Sequence, residues 1–200
     1  KAALPPDEAA RLAALRRYDI LDTPPESAFD DIVQLATEIC RTPVGLISLV
    51  DEHRQWFKAK VGVDVRETPR DESFCAHAIL HPRATTLAPD ATKDPRFADL
   101  QMVVYYPQIR FYAGAPLVTP DGHALGTLCV IDQVPRTLEE GQFKALAALS
   151  RQLATLLEMR RTAIEGRRLA ADLRELANAE RARPDRELKA ARDQVQALAG

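Results

Sequence analysis

Two apolar segments joined by a tight turn constrain the fold of this chain more than any other feature. Phe111–Val118 and His123–Asp132 both have the length of a strand, and Thr119-Pro-Asp-Gly122 between them contains an Asp-Gly pair. Asp-Gly favours a β-hairpin turn because both residues tolerate left-handed backbone angles. The pattern therefore predicts an antiparallel sheet with helices packed on it.

A second hairpin is predicted nearer the N-terminus, because the continuous apolar segment Val44–Val50 is followed closely by Gln55–Val61. The later strand alternates apolar with basic side chains: Phe57, Ala59 and Val61 against Lys58 and Lys60. We therefore expect one face of this strand to be wet. Trp56 lies on the face opposite Phe57, where a role at an edge or interface and a role in a pocket are equally open.

Helices are predicted before and after these strands. Apolar residues at spacings of three and four indicate amphipathic helices over Pro6–Tyr18 and Glu26–Arg41. Thr137-Leu-Glu-Glu140 has the pattern of a capping box and is expected to start a third helix.

The segment 62–109 lies between the two hairpins and is rich in proline. Short helical pieces are predicted around Phe74–Leu80 and Asp94–Leu100. Because a long irregular insertion in a compact domain is usually functional, we expect this segment to form a cover over a site.

The third helix is predicted to be long, with an imperfect apolar seam. Its seam positions are Leu146, Leu149, Leu153, Leu156, Leu157, Ile164 and Leu173. Beyond Leu157, positions at which the seam pattern expects apolar residues are occupied by arginines such as Arg160 and Arg167. Pro184 is expected to break the helix. We predict a parallel homodimer held by this coiled coil; the alternative is a single helix packed on its own domain as far as Met159 and solvated thereafter.

Charge and cysteine content disfavour several classes of function. A formal net charge of −2 leaves no polybasic surface for nucleic acid, and no run of eighteen apolar residues indicates a membrane span. Cys40, Cys75 and Cys129 are odd in number and far apart, which fits neither a disulfide framework nor a zinc site and suits a reducing compartment. We expect a cytoplasmic protein that binds neither nucleic acid nor membrane. Because the chain begins with Lys1 instead of Met, it is expected to be a piece of a longer protein.

Six short motifs follow one another along the chain. They are Leu21-Asp-Thr-Pro-Pro-Glu26, Leu49-Val-Asp51 with Gln55-Trp-Phe-Lys58, Arg70-Asp-Glu-Ser-Phe-Cys-Ala-His77, Pro89-Asp-Ala-Thr-Lys-Asp-Pro-Arg-Phe97, Ile109-Arg-Phe-Tyr-Ala-Gly-Ala-Pro-Leu117 and Gly126-Thr-Leu-Cys-Val-Ile-Asp132. Together they resemble the GAF domains at the front of bacterial sensor histidine kinases and diguanylate cyclases.

The resemblance implies an α+β fold with a six-stranded antiparallel sheet, the N- and C-terminal helices on one face, and an extended C-terminal coiled-coil helix. It divides the chain into a helix and turn (1–24), a GAF sensory domain (25–160) and a helical signalling linker (161–200). Its implied function is to sense a small molecule, to dimerise and to relay the ligand state to an output domain outside this chain, without being an enzyme. A structural dimerisation spacer without a ligand is one alternative.

The resemblance also implies a ligand pocket between the sheet and the cover. Its candidate residues are Phe74, Cys75, His77, Asp90, Asp94, Phe97, Arg110 and Tyr112. The ligand is unknown, and no cofactor or metal is indicated. Relatives that attach a bilin covalently carry adjacent cysteine and histidine, whereas Ala76 separates Cys75 from His77. Arg110 could hold an anionic group of a ligand, but we favour a structural ion pair with one of the acidic residues of the cover: Asp90, Asp94 or Asp99.

A redox function centred on Cys75 is the other alternative. Free methionine sulfoxide reductases of the GAF fold carry a cysteine at a position that resembles Cys75, and their chemistry needs a second thiol. The segment before Arg110, where their catalytic thiol would lie, contains no cysteine. Cys40 on a helix and Cys129 in a strand are both expected to be core residues.

Overall fold

A computed structural model describes the backbone of residues 2–198 and the side chains of residues 2–181, 194 and 196. The strands are β1 (Val44–Val50), β2 (Arg54–Val61), β3 (Glu67–Pro69), β4 (Thr86–Ala88), β5 (Phe111–Val118) and β6 (Ala124–Asp132). They form one six-stranded antiparallel sheet, as predicted, and the structure gives the strand order β3-β2-β1-β6-β5-β4. The helices are α1 (Glu8–Arg17), α2 (Ser27–Cys40), α3 (Phe74–Ala78), α4 (Gln101–Val104) and α5 (Glu140–Leu198). The chain divides into two compact units, Lys1–Glu158 and Met159–Gly200.

Each face of the sheet buries its own apolar cluster. The helix cluster joins α1, α2 and the first turns of α5 to the sheet, with members that include Leu15, Phe29, Val33, Trp56, Phe111, Leu146 and Leu153. The opposite cluster joins the sheet to α3 and α4, with members that include Phe57, Phe74, Phe97, Val103, Tyr112 and Cys129. Strands buried on both faces explain why β1, β5 and β6 are apolar along almost their whole length.

A bulge in β2 changes which of its side chains share a face. Ile47 of β1 pairs with Ala59, but the next residue, Ser48, pairs with Phe57, so that Lys58 is the extra residue. Phe57 then packs against the cover, whereas Ala59 packs in the helix cluster. The prediction of a single apolar face for this strand is therefore wrong, because an inserted residue reverses the alternation of side chains between the two faces.

The wet face predicted for β2 is also wrong at Lys58, whose side chain is fully buried. Its ammonium group donates hydrogen bonds to Thr23 Oγ1 at 2.9 Å and to Glu26 Oε1 at 2.7 Å. Lys58 is buried because this pairing replaces water, and it ties the turn before α2 to the sheet. Trp56 is only 7% exposed and belongs to the helix cluster, so it lies neither at an edge nor in a pocket.

Two short predictions about helices differ from the structure. The predicted helix at Asp94–Leu100 consists of turns, because the Asp94 carboxylate accepts a hydrogen bond from the Arg96 backbone N–H at 3.0 Å and competes with helical bonding. α5 starts at Glu140 with the Gln142 side-chain oxygen accepting from the Glu139 N–H at 2.9 Å, so the cap lies two residues later than predicted.

The helix break predicted near Pro184 is absent from the described backbone, in which α5 runs on to Leu198. α5 thus continues through Pro184 although a proline removes one N–H donor and crowds the preceding turn.

Candidate functional site

Four of the predicted pocket residues pack against one another where the cover meets the sheet. Phe74, Cys75, Phe97 and Tyr112 are each at most 2% exposed. The ring centroid of Phe74 lies 4.6 Å from that of Phe97 and 5.0 Å from that of Tyr112. At these distances the Phe74 ring is in contact with both of the other rings. We call these four residues together with Cys129 the cover cluster.

Tyr112 enters the cover cluster from β5. A Cβ atom at Gly114 would collide with the Tyr112 ring, so the glycine provides the space in which the ring lies. The Tyr112 hydroxyl donates a hydrogen bond to Cys75 Sγ at 3.6 Å. Burial raises the pKa of Tyr112 well above its usual value, which keeps the hydroxyl protonated and able to donate.

Cys75 and Cys129 contact each other within the cover cluster, with 3.9 Å between their Sγ atoms. Cys75 comes from α3, and Cys129 comes from β6, where β1 and β5 pair with it on both sides. Thr127 lies two residues before Cys129 and donates its hydroxyl to Cys75 Sγ at 3.1 Å. Cys129 is a core residue as predicted, but its contact with Cys75, 54 residues away in the sequence, was not foreseen.

The surroundings shift the thiol pKa values in different directions. Burial raises the pKa of Cys75, but hydrogen bonds from the neighbouring thiol and hydroxyl groups outweigh it, and the net shift is downward. The hydrogen bond to Cys75 and burial both raise the pKa of Cys129. Burial raises the pKa of Cys40 to about 11. Of the three thiols, Cys75 therefore forms a thiolate most readily.

His77 lies at the margin of the cover cluster. Its half-buried ring meets Phe97 edge-on, with 5.2 Å between the ring centroids. Burial lowers the pKa of His77, so the imidazole is neutral at pH 7. Its Nε2 atom is buried without a hydrogen-bond partner.

Asp90 and Asp94, by contrast, lie outside the cover cluster. Asp90 pairs with Lys93 at 2.8 Å, and Asp94 pairs with Arg96 at 2.6 Å. Both carboxylates line an open surface depression in the loop 89–96. They stabilise this loop, and the structure does not bring them together with Cys75.

Arg110 is a structural tether, but its partners are not those predicted. Its Nη1 atom donates to the carbonyl oxygens of Val103 at 2.8 Å and Ile109 at 3.1 Å. Among the described residues it makes no ion pair with the acidic residues of the cover: Asp90, Asp94 or Asp99. Arg110 therefore holds the end of α4 against the start of β5.

The predicted seam of α5 divides into two groups. Leu146, Leu153 and Leu157 are at most 3% exposed and belong to the helix cluster, with Leu149 and Leu156 partly buried against it. In the unit Met159–Gly200, Ile164 is half-buried and Leu173 is 57% exposed. The first five seam residues thus contribute to the core of their own domain.

Ser150 connects α5 to the strand that carries Tyr112. The buried Ser150 hydroxyl lies 2.7 Å from the Pro116 carbonyl oxygen and 3.3 Å from that of Ala115. β5 therefore contacts the cover cluster through Tyr112 on one face and α5 through these carbonyls near its end.

Among the described residues, no group of three or more His, Cys, Asp or Glu side chains is placed to hold a metal ion. None of the helices there is long and apolar enough to span a membrane.

Residues 24–157, more than half of the chain, match the GAF domain family. The chain belongs to this family, which confirms the resemblance predicted from the six motifs.

One curated relative is a cyclic di-GMP phosphodiesterase of Pseudomonas aeruginosa, 49% identical over 132 residues. The match covers 66% of this chain but only 22% of the phosphodiesterase, so the chain spans about a fifth of that relative.

Similar solved structures include the GAF domain of an Acinetobacter phosphoenolpyruvate-protein phosphotransferase (21% identity, TM-score 0.56, covering 76% of this chain and 95% of that one). Another is a domain of a protein described as a two-component sensor histidine kinase of Sinorhizobium meliloti (15%, TM-score 0.57, covering 71% and 97%). At these identities the two structures show the common fold alone.

Proposed function

We propose that this chain is the input module of a bacterial signalling protein, which detects a chemical state at the cover and relays it through α5 to an output domain outside this chain. The observation that supports this proposal is the double attachment of β5, to the cover cluster through Tyr112 and to α5 through Ser150. Because the relative from Pseudomonas aeruginosa is a cyclic di-GMP phosphodiesterase, cyclic di-GMP turnover is the proposed output.

A relay of this kind needs two arrangements of the module that differ in free energy when the cover changes. The cover cluster is a suitable detector because its aromatic rings are in contact. Closely packed side chains change between discrete arrangements and do not deform gradually. α5 is a suitable transmitter because a continuous helix carries a displacement along its length. The module itself is proposed to have no catalytic turnover, and its three free thiols suit the cytoplasm.

A chimera tests this function. The matching segment of the Pseudomonas aeruginosa phosphodiesterase is replaced by the corresponding part of this chain, and the rate of cyclic di-GMP hydrolysis is measured. Because Tyr112→Phe removes the hydroxyl contact with Cys75 while keeping the ring, we expect it to change the rate at least about twofold. Asp121→Asn, at an exposed hairpin turn, is the matched control and leaves the rate unchanged.

The second candidate function is a dimerisation spacer without a ligand. It is favoured by the contacts of the Phe74 ring with Phe97 and Tyr112, which pack predicted pocket residues against one another. A spacer predicts that Tyr112→Phe, like the control, leaves the hydrolysis rate of the chimera unchanged. If Tyr112→Phe hydrolyses cyclic di-GMP at the same rate as the unmodified chimera, and the chimera is folded and dimeric, the spacer function is supported and the relay is refuted.

Dimerisation is proposed to use the exposed leucines of the unit Met159–Gly200. Leu169, Leu173 and Leu176 are 57–63% exposed and recur at spacings of four and three. Replacing Leu169 and Leu173 by Asp places charges in this seam, and we expect the dimer dissociation constant to rise at least about tenfold. Sedimentation equilibrium of the full chain measures the constant.

The matched control for the seam is Asn178→Asp. Asn178 is exposed and follows Leu173 by five residues, so it lies on another face of the helix. We expect this control to remain as dimeric as the unmodified chain. A monomer at tens of micromolar in the unmodified chain would refute the dimer.

A further inference from the structure

The cover cluster contains two thiols to which the proposed relay assigns no chemistry. Cys75 and Cys129 are both free and buried, and their Sγ atoms are 3.9 Å apart. A disulfide bond is about 2.05 Å long, so about 2 Å separates the present contact from a bond. A side-chain rotation together with a small displacement of one element closes a distance of this size.

The two thiols differ in their surroundings. Thr127 and Tyr112 both direct their hydroxyl groups at Cys75 Sγ, at 3.1 Å and 3.6 Å. Hydrogen bonds to sulfur stabilise the thiolate relative to the thiol, so Cys75 is suited to be the nucleophile. The Cys129 Sγ atom lies 3.9 Å from Cys75 Sγ, which suits a resolving thiol.

The two elements that carry the thiols also differ in how firmly they are held. Cys129 lies in β6, which is hydrogen-bonded to β1 and to β5 along its length. Cys75 lies in α3, a helix of five residues between irregular segments. A helix of only five residues opens locally at lower free energy than a central strand, so we expect the buried Cys75 to be the partner that moves and meets a reagent.

We propose that Cys75 and Cys129 form an intramolecular disulfide when the protein meets a small hydroperoxide. The Cys75 thiolate attacks one peroxide oxygen, the O–O bond breaks, and Cys75 becomes a sulfenic acid as the leaving oxygen takes up a proton. The Cys129 sulfur then attacks Cys75 Sγ, the S–S bond forms, the S–O bond breaks, and water leaves with the Cys129 proton. With hydrogen peroxide, two thiols lose two electrons and two protons, and the peroxide becomes two water molecules.

This site goes beyond the proposed relay and does not depend on it. The disulfide would draw Cys75 Sγ away from the hydroxyl groups of Thr127 and Tyr112. Since Tyr112 belongs to β5, oxidation also alters the strand to which Ser150 is bonded. The disulfide can nevertheless be detected whether or not an output domain responds. The disulfide proposal and the relay proposal can therefore be refuted independently.

Peptide mapping of the full chain tests the disulfide, because trypsin places each cysteine on its own peptide. Cys40 lies on Tyr18–Arg41, Cys75 on Asp71–Arg83 and Cys129 on Phe111–Arg136. The folded chain is treated with hydrogen peroxide, free thiols are alkylated in denaturant, and the unreduced digest is analysed by mass spectrometry. We expect the Cys75–Cys129 linked peptide to exceed any linkage to Cys40 at least about tenfold, and to vanish with dithiothreitol.

Variants assign the roles. Cys40→Ser is the matched control and keeps the linkage, whereas Cys129→Ser leaves Cys75 as a sulfenic acid that dimedone traps. Thr127→Val retains both thiols and the side-chain shape, and slows formation of the linkage because a hydrogen bond to the nucleophile is lost. Complete consumption of Cys75 in the folded, unmodified chain without the linked peptide overturns the proposal. So does oxidation of Cys40 while Cys75 stays reduced.

Discussion

Glu8→Gln is expected to lower the free energy of unfolding by about 3 to 5 kcal/mol, because it leaves two buried guanidinium groups without a counter-charge. The Glu8 carboxylate lies 2.8 Å from Arg11 and 2.5 Å from Arg70, and both arginines are at most 5% exposed. Each arginine already has one buried nitrogen without a hydrogen-bond partner, so neither can compensate for the loss. Urea denaturation measures the change.

The same carboxylate predicts a dependence on pH. Burial raises the pKa of Glu8, but the hydrogen bonds from Arg11 and Arg70 lower it to about 2 from 4.5. Since the folded-state pKa lies below the unfolded value, Glu8 stabilises the fold above pH 4.5, and this contribution is lost as the pH falls toward 2. As the pH falls from 4.5 toward 2, the free energy of unfolding of the unmodified chain is expected to decrease more than that of Glu8→Gln.

The control for Glu8 is an exposed ion pair. Arg17 and Asp121 are 2.6 Å apart with about half of each side chain exposed. Asp121→Asn is therefore expected to cost less than about 1 kcal/mol. A similarly small loss for Glu8→Gln would mean that the Glu8 site is open to water.

Phe97→Ala is the second substitution with a large expected effect, a loss of about 3 to 5 kcal/mol in the free energy of unfolding. Phe97 is fully buried and its ring contacts those of Phe74 and His77. Truncation leaves an apolar cavity where the pocket was predicted, and small apolar molecules such as indole are expected to bind there and raise Tm.

Thermal and urea denaturation of Phe97→Ala and Phe97→Leu check this expectation. Leucine keeps a branched apolar side chain, so Phe97→Leu should lose less stability than the alanine variant. If both variants lose under about 1 kcal/mol, the rings are not a packed core, and the cover is open in solution.

Local patterns predicted the elements of the fold well where they were strongly apolar. β1 and β5 have the bounds expected from the sequence, because a continuous apolar segment between turn residues leaves few alternatives. The bulge at Lys58 was missed, since it depends on how Ile47 and Ser48 of the neighbouring strand pair with β2. The register describes how two strands pair, so it cannot be read from the alternation of apolar residues in one strand alone.

The candidate site was predicted only in part for a similar reason. Phe74, Cys75, Phe97 and Tyr112 belong to one buried cluster, and their role in holding a ligand stays a prediction. The contact between Cys75 and Cys129 joins residues 54 positions apart, and nothing in the spacing of the cysteines signals it. Such contacts follow from the sheet order and from where α3 packs on it.

The rate of cyclic di-GMP hydrolysis by the chimera, measured for Tyr112→Phe and Ser150→Ala singly and together, tests the relay most directly. If β5 transmits the state of the cover to α5 through Ser150, Tyr112→Phe changes the rate when Ser150 is present and has no effect in the Ser150→Ala background. An effect of Tyr112→Phe that is equal in both backgrounds, or absent from both, would contradict a relay through this hydrogen bond.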